Sequence, residues 1–265
     1  MPSALQTSRM AALRDLLARL EGDAHAARFS DARSGPVPAI PFGLPALDRH
    51  LPAGGIARGA LHEIAGVGAE QEHGAAAALL IAGLLARLPG PVLWVLERPD
   101  LFAPALAAMG LAPDRVIYAE AGTPETVLLV LEEGLRHPGL AAGVGEISGR
   151  LGLTATRRLQ LAAATSGATG FLLRRAWRGQ TTEAAEPSAA VSRWRVGALP
   201  SAPPLAAAPD VPGLGPARWR LDLLRCRGAE PASWILEVCD ATGDWRLAAA
   251  LADREAAPDR RRAAG

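Results

Sequence analysis

Apolar residues recur along this chain at two periods, and the switching between them lays out its elements. Residues 7–20 place Leu13, Leu16, Leu17 and Leu20 on one face at helical spacing, while Arg9, Arg14, Asp15 and Arg19 fall largely elsewhere. A stretch rich in Pro, Gly, Ser and Ala follows at about 30–41 and reads as a linker. The predicted organisation is a helical arm over 1–30, a linker over 31–41, a core over 42–252 and a disordered tail over 253–265. An arm of this kind either packs back onto its own domain or docks on a neighbouring subunit or partner.

From Gly59 onward strands and helices alternate. ALHEIA (60–65) reads as a short strand, and GAAAALLIAGLLARL (74–88) as a helix that is apolar on nearly all sides and therefore buried. VLWVL (92–96) is the continuous apolar run of a strand covered on both faces. Pro99 suits a helix start, continued over 101–109 and stopped by Gly110. RVIYA (115–119) is the next strand. Thr123-Pro124 opens a helix to about Arg136, which His137-Pro138-Gly139 ends. A weaker strand spans 141–147, Thr154 caps a helix to about Ala164 that ends near Gly167, and TGFLLR (169–174) is again a strand. This alternation predicts an α/β fold with a mostly parallel sheet and helices on both faces.

The last third changes character. SRWRV (192–196) reads as a strand, 197–217 as a long loop rich in Pro, Ala and Gly, and RWRLDLLRC (218–226) and WILEVC (234–239) as strands joined around 228–231. Period two sets Trp219, Leu221 and Leu223 against Arg218, Arg220 and Asp222, and Trp194 and Val196 against Arg193 and Arg195. These strands are predicted to be antiparallel and half exposed, extending one edge of the sheet.

Composition narrows the chemistry. The 265 residues suit one large domain with extensions. All 28 basic residues are arginine; there is no lysine and no asparagine, while alanine fills 57 positions, the mark of GC-rich codon usage. Lysine chemistry is excluded all the same: no phosphate-loop lysine, no Schiff base, no Ser-Lys dyad. Residues 1–150 carry 12 arginines and 16 carboxylates, residues 151–265 carry 16 and 11, and the second part holds Trp177, Trp194, Trp219, Trp234 and Trp245. That asymmetry fits a partner or nucleic-acid surface, and equally amphipathic strands whose arginines face water. Without a membrane-length apolar run, a signal-peptide order of residues or a disulfide framework (Cys226 and Cys239 only), the chain reads as soluble and cytoplasmic.

The stretch GVGAEQEHGAA (66–76) lies between a strand and a helix, where a phosphate loop belongs. Such a loop needs G-x-x-x-x-G-K-[ST], its backbone N–H groups cradling phosphate, its lysine reaching the terminal phosphates and its hydroxyl holding Mg²⁺. Gly66, Gly68 and Gly74 are present, but Ala75 and Ala76 stand where the cation and hydroxyl belong, and Glu70 and Glu72 would repel phosphate. The loop is degenerate on this reading, and no cofactor is expected. Glu97 and Glu146 end strands where a water-activating base and a metal-associated acid would sit; both are read as solvated strand ends. The five histidines have no ligand spacing, so no metal is expected. GEISG (145–149) places its serine wrongly for a nucleophile elbow, and the cysteines read as buried free thiols.

Three stretches carry a family resemblance: FGLPALDRHLPAGGIARGALHEIAG (42–66), LTATRRLQLAAATSGATGFLLRR (153–175) and PARWRLDLLRCRGAEPASWILEVCDATGDWRLA (216–248). The first resembles the entry into a RecA-type core, with a short helix and a double-Gly turn before the first strand. The other two are similar to the ImuA family, and the resemblance covers about 39–254. It implies a RecA-like core related also to the division inhibitor SulA, extended by C-terminal antiparallel strands. It further implies an accessory role in SOS-induced error-prone translesion synthesis, with RecA and the Y-family relative ImuB as partners beside a second polymerase. The candidate contacts are Leu13, Leu16, Leu17 and Leu20 on the arm and Arg193, Trp194, Arg195, Arg218 and Arg220 on the strands. The alternatives are a SulA-like division inhibitor or single-strand DNA binding, with bases stacked on the Arg/Trp strands. An ATPase is the reading least supported, and any direct DNA contact is expected to be weak.

Overall fold

The structure, a computed structural model, describes residues 38–68, 70–176, 187–205, 208, 211, 213–238 and 244–248, with the side chains of 70–72 left undescribed. The expected arm and tail lie outside these residues, as does Trp177. The chain enters through β1 (Ala39–Ile40), α1 (Pro45–Asp48) and β2 (Ile56–Ala57), β1 and β2 pairing antiparallel. There follow β3 (Leu61–Gly66), α2 (Glu70–Ala86), β4 (Val92–Leu96), α3 (Ala103–Ala108), β5 (Val116–Glu120), α4 (Pro124–Arg136) and β6 (Ala142–Ser148). Then come α5 (Leu153–Ser166), β7 (Thr169–Arg175), β8 (Ser192–Leu199), β9 (Arg218–Cys226), β10 (Ala232–Val238) and β11 (Trp245–Leu247).

Nine strands form one sheet in the order β11-β10-β9-β8-β3-β7-β6-β4-β5. From β8 to β5 all pairings are parallel; β9, β10 and β11 add on antiparallel. Helices α2 and α3 cover one face, over a core that includes Ile64, Trp94, Trp194 and Leu221; α4 and α5 cover the other, over Leu93, Val95, Ile147 and Leu172. All five residues of β4 are buried, as its unbroken apolar run requires. The α/β architecture with a parallel sheet and an antiparallel extension is the one the sequence predicts.

Several boundaries differ from expectation for local reasons. Ala39 and Ile40, inside the expected linker, form β1, with Ile40 buried and paired with Ile56. α2 starts at Glu70, four residues early. α3 starts after Phe102, with Pro104 rather than Pro99 in its first turn. α5 is preceded by Gly152, not capped by Thr154. β8 runs on to Leu199, into the expected loop, and joins the two parts of the sheet: it pairs antiparallel with β9, as expected, and parallel with β3 on its other edge. β11 was not anticipated. It fits because Gly83 leaves room on α2 for the Trp245 ring, with which a Cβ would collide. The Trp245 Nε1–H donates to the Phe42 carbonyl at 2.6 Å, and the Arg87 guanidinium lies 4.3 Å over the ring.

His62 ties β2, β3 and β8 together. A carbonyl only accepts, so Nε2–H donates to Ala57 O at 2.8 Å; Nδ1 then accepts from the Ser192 hydroxyl at 2.7 Å, whose oxygen accepts Trp194 Nε1–H at 2.7 Å. Burial pushes the imidazole pKa down to about 4, against the upward pull of the Ala57 bond. Below the ordinary value of 6.5 the unfolded chain takes up the proton first, so stability falls as pH drops through this window. Between pH 7 and pH 5 the loss is expected to be about 2 kcal/mol. Urea denaturation at the two pH values, compared with His62→Gln, measures it; equal pH dependence in both proteins would contradict the assignment.

Candidate functional site

In a parallel sheet the C-terminal strand ends converge on a crevice where sites form. Here the ends of β3, β4, β6, β7 and β8 meet. Glu146 on β6 is 1% exposed. One oxygen accepts Trp94 Nε1–H at 2.8 Å and the other pairs with Arg175 at the end of β7. Arg175 in turn reaches Asp100 at 3.2 Å. Burial raises the Glu146 carboxyl above its ordinary range, outweighing the opposing pull of Arg175 and Trp94. Glu97, just past β4, accepts both the backbone N–H and the hydroxyl of Ser148 at 2.7 Å each. Glu146 is therefore not the solvated strand end that the sequence pattern suggests, while Glu97 is half-buried and bonded to Ser148. Each is spent on internal bonds that lock β4, β6 and β7 together.

The loop after β3 is equally committed. Val67 N–H donates to Val196 O at 2.9 Å, and His73 Nδ1 accepts from Ala198 N–H at 3.0 Å. A Cβ at Gly66 would stand 3.1 Å from the His73 backbone, so a larger residue there would push α2 back by a few tenths of an ångström. Because α2 begins at Glu70, Gly74, Ala75 and Ala76 lie in its second turn, not at its mouth; the first turn reads Glu70-Gln71-Glu72-His73.

The second candidate surface is the face of β8–β11 opposite α2, which no helix covers among the described residues. Arg193 pairs with Glu63 at 2.9 Å. Arg195 (3.4 Å) and Arg220 (2.8 Å) share Asp222, and Arg218 (3.6 Å) and Arg246 (3.0 Å) share Glu237. Burial alone would raise the Asp222 carboxyl, but the Ser233 hydroxyl, Arg220 and Arg195 together hold it below its usual range. Five arginines thus meet three carboxylates, which leaves a modest positive surplus. Trp194 is not on this face. It is fully buried on the other side, 5.4 Å from the Phe42 ring and 6.3 Å from Trp234, because strand alternation turns it away from Arg193 and Arg195. Trp219 is buried likewise, so the open face offers no tryptophan platform for stacked bases among the described residues. Leu13, Leu16, Leu17 and Leu20 lie outside the described residues.

No family model matches the chain. Two curated relatives, both named Protein ImuA and from two strains of Caulobacter vibrioides, are each 42% identical over 233 residues, spanning 84% of this chain and 93% of their own. The chain belongs to the ImuA family. Among solved structures, the crystal structure of the RadB recombinase superposes with a TM-score of 0.54 at 18% identity, covering 78% of this chain and 98% of that one. The fold of this chain is accordingly RecA-like.

In this ImuA-family chain the residues missed by sequence reasoning are the partners, Arg175, Asp100 and Ser148, rather than the carboxylates themselves. The signal was present only as two arginines ending the apolar run of β7. Their meaning depends on register, which sets Ser148 opposite Arg175 across β6 and β7. No cluster of metal-ligating side chains occurs among the described residues, and no described helix is long and apolar enough to cross a membrane.

Proposed function

We propose that this ImuA-family chain is a non-catalytic, cytoplasmic adaptor of SOS-induced error-prone translesion synthesis. In this reading it is RecA-like with a degenerate nucleotide site, and it binds RecA, an ImuB-type polymerase relative, or both, beside an error-prone polymerase. The observation that carries the reading is the commitment of Glu97 and Glu146 to internal bonds beside a loop without lysine. A working site keeps a base free for water and an acid free for metal. Here the candidate metal ligand, Glu146, would have to be pulled out of the fold, and the candidate base, Glu97, would have to share its oxygens with Ser148.

The contacts then fall to the surplus arginines of the open face and to the leucines of the arm. Of the arginines named from the sequence, Arg220 and Arg195, with side chains 57% and 36% exposed, are the accessible members, and Arg246 beside them is exposed too. A protein partner suits this face better than a DNA strand, because each arginine already has a carboxylate and the surplus is small. Pull-down of purified chain with RecA and with the ImuB-type protein of the same organism is the test. Binding is expected to at least one, reduced about tenfold or more by Arg195→Glu with Arg220→Glu. No binding to either overturns the adaptor reading. ATP turnover abolished by Glu97→Gln overturns the non-catalytic one, and filamentation on overexpression without added mutagenesis favours a SulA-like inhibitor.

A further inference from the structure

On the helix layer formed by α4 and α5 an apolar cleft of about 250 Å³ is open to solvent. Leu128, Ala155 and Leu159 line it, and Leu129 stands 55% exposed at its lip. Exposed Glu125 marks one end; towards the other, Glu132 accepts from both Arg136 and Arg158 and straps the two helices together. The volume falls below the roughly 300–1,000 Å³ of small-molecule sites. A row of aliphatic side chains from a helix suits it better.

We propose that the leucine face of residues 7–20 of the same molecule occupies this cleft in the free protein. This goes beyond the adaptor reading and does not depend on it. Leu13, Leu16, Leu17 and Leu20 have the i, i+3, i+4, i+7 spacing by which a helix anchors in a groove. The described chain starts close by: the Pro38 carbonyl accepts Arg58 N–H at 2.8 Å, and the next residue, Gly59, abuts Gly167 at the C-terminal end of α5. α5 is about 21 Å long at 1.5 Å per residue. The 17 residues from 21 to 37 can span up to about 56 Å. One charge pairing fits as well: with Glu132 already paired to Arg136 and Arg158, Glu125 is the carboxylate left at the cleft, and Arg9, one turn before Leu13, lies at the end of the stripe where it can meet it.

Hydrogen exchange on the full chain tests the proposal. Amides of 7–20 and 124–132 are expected to exchange at least tenfold more slowly in the wild type than in Leu129→Asp or in Leu16→Asp with Leu20→Asp. Leu129 is already half exposed, so its variant keeps the native circular dichroism. Arg9→Glu is expected to loosen the arm and Glu125→Arg to restore it. Exchange of 7–20 at free-peptide rates in the wild type, or protection that Leu129→Asp leaves intact, overturns the proposal. So does protection that rises with protein concentration alongside a dimer in sedimentation, since the leucines would then sit on a second copy.

Discussion

The Arg175→Met variant is expected to lose about 3–5 kcal/mol of stability at neutral pH. That is a large share of the roughly 5–15 kcal/mol that holds a domain folded. The cause is not the lost attraction alone. Glu146 is 1% exposed, and without Arg175 it keeps only the Trp94 N–H against the cost of a buried charge. Its carboxyl is already raised by burial with the guanidinium present, so the variant drives it further towards the neutral form. A raised folded pKa means that the folded state binds the proton more tightly than the unfolded one. The variant's deficit is therefore fully developed at high pH and shrinks as pH falls towards that pKa. Adding Glu146→Gln removes the stranded charge and keeps an acceptor for Trp94, and the double variant is expected to return to within about 1 kcal/mol of wild type. Urea denaturation of the three proteins at pH 8 and pH 6 measures all of this. A double variant as unstable as the single one would mean that the pair is not what Arg175 supports. The double variant is also informative about function: it lacks an acid at the end of β6, yet under the adaptor reading it binds its partners as the wild type does.

Those same residues mark where sequence reading stops. VLWVL, the helix opened by Thr123-Pro124 and RWRLDLLRC are legible because their signals are local: an unbroken apolar run, a Thr whose side chain accepts Thr126 N–H, and strict alternation. β1, β2 and β11 are two or three residues long and too short to show a period. The start of α2 was misplaced because Gly74 reads as a helix boundary, whereas the close approach at Gly66 lets the helix begin four residues earlier. The antiparallel pairing of β8 with β9 follows the alternation, but the parallel pairing of its other edge with β3, 130 residues away, leaves no local signal. The candidate residues follow the same rule. Glu97, Glu146 and the arginines could be named from sequence, yet what each one touches depends on register between distant strands, and that decides whether a carboxylate is available for chemistry.

Trp194→Ala is expected to cost about 3–5 kcal/mol, and the loss should be structural rather than a loss of partner contact. The indole is fully buried between the Phe42 and Trp234 rings, so truncation opens a cavity under β8 and β9. It also removes the donor that Ser192 Oγ accepts, at one end of the chain of bonds through His62 to Ala57. Arg220→Ala, on the neighbouring strand β9 and the open face, exposes no core and is expected to change stability by less than about 1 kcal/mol. The two variants therefore separate core from contact. In thermal or urea denaturation Trp194→Ala should shift the midpoint and Arg220→Ala should not. In partner binding measured well below the midpoint, where both proteins are folded, the order should reverse, with Arg220→Ala weakened and Trp194→Ala retained. Trp194→Phe sharpens the comparison: it keeps most of the ring volume, loses only the N–H, and is expected to fall between wild type and Trp194→Ala in stability while binding normally. Lost binding by folded Trp194→Phe would return Trp194 to the contact surface and reverse the assignment of the two sheet faces.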